Sequence, residues 1–229
     1  MAPPRIAAIC KRRSVPDRRL RRAGQLFAGL ILYGVSGGLL LLAGLGVDPW
    51  NVFHQGLSRQ IGLGVGTWAI IVGVFVLLLW IPLRQRPGVG TVCNVLVVGA
   101  VIDLMLAVLS PPHDLGARIA LLVCGIVFNG VATGAYIGAG LGPGPRDGLM
   151  TGIARRGHPI WVVRMSIEVT VLLSGFALGG TIGVGTLLYA LSIGPLAHFF
   201  IPLLEIRRPS EDPLHEYEVE PAVELPGDL

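Results

Sequence analysis

One stretch of this sequence occurs twice, and this repetition constrains the fold more than any other feature. Residues 43–59 read AGLGVDPWNVFHQGLSR, and residues 139–155, 96 positions later, read AGLGPGPRDGLMTGIAR. The tetrapeptide GVGT at residues 88–91 also recurs, at residues 183–186 and therefore 95 positions later. The sequence thus predicts two halves with the same order of elements, and such a repeat has to be identified before a fold is assigned.

The composition indicates that both halves lie in a membrane. Only 14% of the 229 residues are charged, and the mean hydropathy is +0.70. Eight of the 14 acidic residues follow residue 204 and eight of the 18 basic residues precede residue 23, so the body between them is poor in charge. Long apolar runs with few charges are typical of membrane-spanning helices. The predicted spans, three in each half, are 24–42, 66–83, 89–109, 118–138, 160–178 and 182–203.

The distribution of basic residues predicts how the spans are oriented. An odd number of spans in each half places the second half upside down relative to the first. If both termini are cytoplasmic, 16 of the 18 basic residues lie in cytoplasmic segments and only Arg59 and Arg118 lie outside, in agreement with the positive-inside rule. A five-span arrangement would put the C-terminus outside and fits the charges less well. The predicted fold is an all-α membrane protein of six transmembrane helices, arranged as two inverted three-helix repeats with both termini in the cytoplasm.

The predicted domain organisation follows from these runs. Residues 24–109 and 118–203 form the two membrane repeats, and residues 110–117 link them. Residues 1–23 form a basic cytoplasmic tail, and residues 204–229 form an acidic cytoplasmic tail whose composition is typical of disorder. Basic residues beside the first span set its orientation, so we expect no nucleic-acid partner. The three cysteines and five histidines are scattered, which predicts neither a metal site nor a cofactor.

Each repeated stretch predicts a helix that is too short to cross the bilayer. Asp48 followed by Pro49 predicts the first helix start, since Asp is a favoured N-cap and Pro a favoured first helical residue. Pro145 marks the same start in the second half, and Gly62 and Gly157 mark the two helix ends. About 13 residues give a helix of ~20 Å, against ~30 Å for the hydrocarbon core of the bilayer.

Two placements are compatible with such a short helix. It can lie flat at the membrane interface, where Trp50 and Phe53 would anchor the first copy among the lipid headgroups. It can instead be re-entrant, dipping into the membrane and back, so that the free N–H groups at its start attract negative charge near the bilayer centre. Only the re-entrant placement puts a binding site between two helix starts that enter from opposite sides.

Polar residues in and near these segments are candidates for a pathway or a ligand site, because ionisable groups inside a membrane usually serve function. Arg164 and Glu168 are four residues apart, so they share a helix face and can form an ion pair. This pair can also be purely structural. Asn51 and Asp147 can be helix caps, and Arg146 can simply set the orientation of its segment. The candidates are Asp48, Asn51, Arg146, Asp147, Arg164 and Glu168.

Five runs carry a resemblance to a known family: GLGVDPWNV, GVGTWAIIVG, RPGVGT, GLGPGPRDGLMTGI and IGVGTLLYALSIGP. They resemble the YczE/YitT-like family of bacterial integral membrane proteins, over roughly residues 24–203. The most specific part is GPRDGLM with the later Arg164 and Glu168. The resemblance implies a small polytopic inner-membrane protein of largely unassigned activity, and it supplies no cofactor, catalytic residue or agreed substrate.

The repeat and the two broken segments favour a small transporter or channel, with an unknown small solute bound between the segments. The alternative is a membrane accessory or scaffold protein that supports a partner enzyme through its acidic C-terminal tail. An enzyme is not expected, because the sequence lacks HExxH and a facing pair of intramembrane aspartates. The lipid bilayer is the expected surrounding, and the sequence leaves the oligomeric state open.

Overall fold

Eight α-helices follow one another along the part of the chain that the computed structural model describes, residues 19–206. They are α1 (Arg19–Ala43), α2 (Pro49–Ile61), α3 (Val65–Leu79), α4 (Val89–Val108), α5 (Leu115–Gly138), α6 (Pro145–Ala154), α7 (Ile160–Ala177) and α8 (Val184–Leu204). Residues 21–206 form one compact unit. The predicted basic tail up to residue 18 and the predicted acidic tail from residue 207 lie outside the described residues.

Five of these helices are long and apolar enough to cross a membrane, namely α1, α4, α5, α7 and α8. α3 has only 15 residues and is too short to be counted by itself. α2 and α3 taken together are long and apolar enough to form one span, which is bent by 112°. The described residues therefore contain five or six candidate spans, which confirms the predicted all-α membrane class. The predicted span 66–83 is too long at its end, because α3 stops at Leu79.

α3 ends early because the chain turns at Trp80. The backbone N–H of Trp80 donates to the carbonyl of Leu77 at 3.1 Å, which tightens the last turn. The indole Nε1 of Trp80 donates to the carbonyl of Pro145 at 3.1 Å. Gly148 faces the Trp80 ring so closely that any side chain at position 148 would collide with it. The Trp80 side chain thereby packs and hydrogen-bonds the end of α3 against the first turn of α6.

The helix order of the first half recurs in the second. The starts of α2 and α6 are 96 residues apart, and those of α4 and α8 are 95 apart. Hydrogen bonds between the halves are also reciprocal. Arg22 Nε donates to the carbonyl of Ala139 at 2.6 Å, and Arg118 Nε, 96 residues later, donates to the carbonyl of Ala43 at 2.7 Å. Equivalent residues of the two halves thus make equivalent contacts with the opposite half.

α2 is packed among other helices along its first turns. Gly175 of α7 lets the backbone of Phe53 approach closely. Trp50 is only 6% exposed, and it packs against Val76 of α3 and Leu149 of α6. The interpretation in which Trp50 anchors a flat helix among the lipid headgroups is therefore wrong, since protein side chains cover that face of α2.

The predicted helix starts are confirmed, and one predicted end is wrong. α2 starts at Pro49 and α6 at Pro145. α2 ends before Gly62, as predicted, and the φ of 84° there suits glycine. α6 has 10 residues instead of about 13, because it ends at Ala154. The N–H groups of Arg156 and Gly157 bond to carbonyls three residues back, which tightens the chain into a turn.

Candidate functional site

The starts of the two short helices lie side by side, one from each half. Arg146 Nη1 lies 3.4 Å from Asp48 Oδ1, and the Arg146 guanidinium lies 4.9 Å from the centroid of the Trp50 ring. Trp50 and Arg146 occupy the same position in the two halves, 96 residues apart. The two starts therefore meet where the two halves meet.

At the first start the side chains of Asp48 and Asn51 bond to each other. Asp48 is only 3% exposed. Its Oδ1 accepts a hydrogen bond from the Asn51 backbone N–H at 3.3 Å, and its Oδ2 accepts one from the Asn51 side-chain amide. The amide oxygen of Asn51 lies 3.4 Å from His54 Nδ1. A buried carboxylate needs such partners, and Arg146 supplies the balancing charge. Asp48 therefore caps α2 and joins the two starts, and Asn51 positions Asp48.

The second start has no equivalent cap. Gly144 stands where the first half has Asp48, and it offers no side chain to the free N–H groups of α6. Asp147, the counterpart of Asn51, accepts a hydrogen bond from Tyr136 Oη of α5 at 2.9 Å. The carboxylate of Asp147 thus reaches a neighbouring helix, although its place in the first turn of α6 also suits the helix dipole.

A cavity of about 420 Å³ lies in front of the two starts. This volume falls within the range of small-molecule sites, ~300–1,000 Å³. Five of the six predicted candidates line it, namely Asp48, Arg146, Asp147, Arg164 and Glu168. Asn51 does not, because its side chain is held by Asp48 and His54. The other polar lining residues are Tyr33, Asn94, Asn129, Thr133, Tyr136 and Tyr189.

Arg164 and Glu168 form the predicted ion pair in the wall of this cavity. Arg164 Nε lies 3.1 Å from Glu168 Oε1, and the two side chains are 54% and 29% exposed. An exposed pair four residues apart on a helix contributes only about 0.3–0.5 kcal/mol to stability. The two groups are therefore easily separated and available to another partner.

The cavity also uses polar residues that were not among the candidates. Tyr189 Oη donates to Asn129 Oδ1 at 3.0 Å, and Asn129 Nδ2 donates to Ser36 Oγ at 3.0 Å. Tyr33 and Asn129 are counterparts 96 residues apart, and Asn94 and Tyr189 are counterparts 95 residues apart. Polar residues at matching positions within apolar runs of both halves are the sequence signal that identifies these positions.

The helices and the cavity define an α-helical polytopic membrane protein with an internal polar cavity. Across residues 19–206, no three His, Cys, Asp or Glu side chains gather in a way that would hold a metal ion.

Comparison with known proteins gives the family. Residues 20–202 match DUF6198, described as a family of unknown function, and the chain belongs to this family. An uncharacterized protein of Haemophilus influenzae is 42% identical over 180 residues, which cover 78% of this chain and 82% of that protein. The uncharacterized membrane protein YczE of Bacillus subtilis is 37% identical over 182 residues, which cover 77% of this chain and 83% of YczE. The resemblance to YczE-like membrane proteins is thus confirmed, and no solved structure matches the chain significantly.

Proposed function

We propose that this protein is a small transporter or channel and that its solute binds in the cavity between the two short helices. The observation that carries this proposal is the Asp48–Arg146 ion pair, which joins the two broken segments at 3.4 Å in the wall of a 420 Å³ cavity. Ionised groups are costly inside a membrane, and they are commonly found along the pathways of solutes and ions. Broken helices that meet between two repeats are the arrangement in which many transporters bind their solutes.

We further infer that the two halves are inverted across the cytoplasmic membrane and that both termini lie in the cytoplasm. An odd number of spans in each half supports the inversion, and the placement of 16 of the 18 basic residues supports the orientation. In this orientation the start of α7 and the end of α8 lie on the cytoplasmic side. The lining residues Arg164 and Ile201 are close to those two ends, so the cavity would open towards the cytoplasm.

The lining favours a small polar or charged solute. Arg146 and Arg164 bring two positive charges, and Asp48, Asp147 and Glu168 bring three negative charges. The hydroxyl groups of three tyrosines add further hydrogen-bonding groups. An apolar solute would displace water from these groups without offering them partners, which is unfavourable.

A membrane accessory protein is the second candidate. Its support is the composition of residues 207–229, which hold seven of the 14 acidic residues and could contact a partner enzyme. Deleting these residues separates the two functions: an accessory protein would lose its effect on the partner, whereas a transporter would keep its flux. In both cases we propose a non-enzymatic role without a nucleic-acid partner.

Flux through the reconstituted protein tests the transport proposal. Full-length protein in liposomes is offered a panel of amino acids, small carboxylates, small amines and inorganic phosphate, and uptake is measured. We expect uptake of at least one class by the wild type and its loss in Asp147→Asn and in Glu168→Gln, because both residues line the cavity. Asp114→Asn is the matched control, since Asp114 caps α5 away from the cavity lining and accepts the Ala117 N–H.

Two results would contradict the proposal. Wild-type uptake by both cavity variants would show that the cavity is not the solute site. No uptake of any member of the panel by wild-type protein that is correctly inserted would reject transport of these solutes and favour the accessory role.

A further inference from the structure

Two equivalent pairs of helices flank the cavity, and they are packed differently. α3 lies so close to α4 that a side chain on Gly66 or on Gly99 would collide with the carbonyl oxygen of the other. Gly194 is the counterpart of Gly99, 95 residues later, and a Cβ added there meets nothing within 4 Å. Gly194 also lines the cavity. The α3–α4 pair is therefore closed, and the equivalent α7–α8 pair is open.

A second set of counterparts shows the same difference. Val95 of α4 is buried and lies where it would touch a Cβ on Gly73 of α3. The counterparts 95 residues later are Ala190 and Glu168, and both line the cavity. In the closed pair the small residue, Gly73, is on α3. In the open pair the small residue, Ala190, is on α8. In the open pair α8 carries the small residues Ala190 and Gly194, so α7 has room to approach α8 at these positions.

Asp103 of α4 holds the closed pair together. Its Oδ1 accepts the Gly66 N–H at 2.7 Å, and its Oδ2 accepts the Thr67 N–H at 2.7 Å and the Thr67 hydroxyl at 2.6 Å. These two N–H groups belong to the first turn of α3, where N–H groups have no partner within the helix. A carboxylate that accepts several short hydrogen bonds at the positive end of a helix makes strong, charge-assisted contacts.

The open pair has different residues at the matching positions. His198 stands where the closed pair has Asp103, and Trp161 stands where it has Gly66, each 95 residues later. Both side chains are exposed, and a neutral imidazole has one acceptor nitrogen where a carboxylate has two oxygens. Pro195 in the middle of α8 removes a backbone hydrogen bond from that helix. α8 can therefore bend at Pro195, and within residues 19–206 the α7–α8 pair has no contact equivalent to that of Asp103 that would keep the two helices together.

We propose that Asp103 is a latch, which holds α3 on α4 and thereby keeps the cavity open only between α7 and α8. Releasing the latch gives access to a second state, in which α7 closes on α8 and α3 parts from α4. The proposal rests on the proposed function, because in the proposed orientation this exchange moves the opening of the cavity from the cytoplasmic face to the outer face. A latch acts through the free-energy difference between two states, so weakening it shifts their populations.

Thiol labelling tests the latch without a known solute. Val95→Cys is introduced into full-length protein whose three native cysteines are replaced by serine, and its reaction with a charged methanethiosulfonate reagent is followed in detergent. Adding Asp103→Asn is expected to raise the labelling rate about tenfold, since the loss of charged hydrogen bonds shifts a minor state by roughly that factor. Thr67→Val removes only the hydroxyl donor, so we expect a smaller rise in the same direction. Thr67→Val also provides a test of the latch if the Asp103→Asn variant fails to fold.

A blocking substitution decides whether the two pairs of helices move together. Gly194→Leu fits the open pair, because nothing lies within 4 Å of its Cβ, and it prevents α7 from closing on α8. Added to Asp103→Asn, it should return the labelling rate at position 95 to the original value. Leu191→Phe is the matched control on an exposed face of α8 and should leave the raised rate unchanged.

Each outcome has a definite meaning. An unchanged rate at position 95 in both Asp103→Asn and Thr67→Val overturns the latch. A raised rate that Gly194→Leu does not reverse shows local loosening of α3 and overturns the second state. Labelling needs no solute, so it is independent of the flux measurement. Coupled exchange without flux rejects transport of the tested solutes and leaves the latch standing, whereas flux without coupled exchange rejects only the latch.

Discussion

The two short helices occupy the same position in the two halves, yet their starts are built differently. α2 begins with Asp48, whose carboxylate is buried and bonded to Asn51 and Arg146. α6 begins after Gly144, which offers no cap, and its Asp147 reaches a hydroxyl on α5. The comparison indicates that the polar side chains at the start of α2 mainly stabilise the fold. At the second start, Asp147 lines the cavity, and under the proposed function it is the group available to a solute.

The largest effect is expected when the charge that joins the two starts is removed. Arg146→Gln leaves the buried carboxylate of Asp48 without a balancing charge. We expect a loss of about 2–3 kcal/mol in the free energy of unfolding, near the lower end for buried pairs because the Arg146 side chain is 25% exposed. Unfolding in detergent measures this loss. The double variant Asp48→Asn/Arg146→Gln should lose less than the single variant, and an equal or greater loss would show that the pair does not join the starts.

A smaller effect should separate the roles of the counterparts Asn51 and Asp147. Asn51→Ala removes the amide that binds the buried Asp48 carboxylate, so we expect a loss of about 1–2 kcal/mol. Asp147→Asn keeps an oxygen that can accept from Tyr136, so we expect a change of less than about 0.5 kcal/mol. The same unfolding measurement compares the two variants. Equal losses would contradict the division between a structural first start and an available second start.

The smallest effect on stability is expected in the cavity wall. Glu168→Gln breaks the ion pair with Arg164, and because both side chains are partly exposed we expect a loss of only about 0.3–0.5 kcal/mol. Arg164→Gln removes the other member of the same ion pair, and we expect it to lower the free energy of unfolding by the same small amount. A loss above about 1 kcal/mol in either variant would mean that the pair supports the fold, as the first start does.

Local chemistry made the helix starts predictable from the sequence. Asp48, Pro49 and Pro145 predict two starts because capping depends on neighbouring residues alone. The early end of α3 at Leu79 was not predictable, because it depends on the bond from the Trp80 indole to a carbonyl 65 residues away. The burial of α2 has the same cause, since helices from both halves cover it.

The charged residues of the site could be predicted, but their arrangement could not. Ionisable residues stand out in an apolar sequence, so the sequence alone predicts Asp48 and Arg146 as site residues. Asn51 was placed among the ligand candidates, and only the fold reveals that Asp48 and His54 occupy its amide. Tyr33 was missed because a single tyrosine in an apolar run is unremarkable until it is aligned with its polar counterpart in the second half.

Labelling of counterpart positions from the two sides of the membrane tests the central claim, that the two short helices enter from opposite faces and meet at the site. Gln60 at the end of α2 and Arg156 just after α6 are exposed and lie 96 residues apart. In protein without native cysteines, a membrane-impermeant maleimide should label Gln60→Cys on intact cells and should reach Arg156→Cys only after the cells are opened. Labelling of both positions from the same side would contradict the inverted arrangement and, with it, a site where the two starts meet.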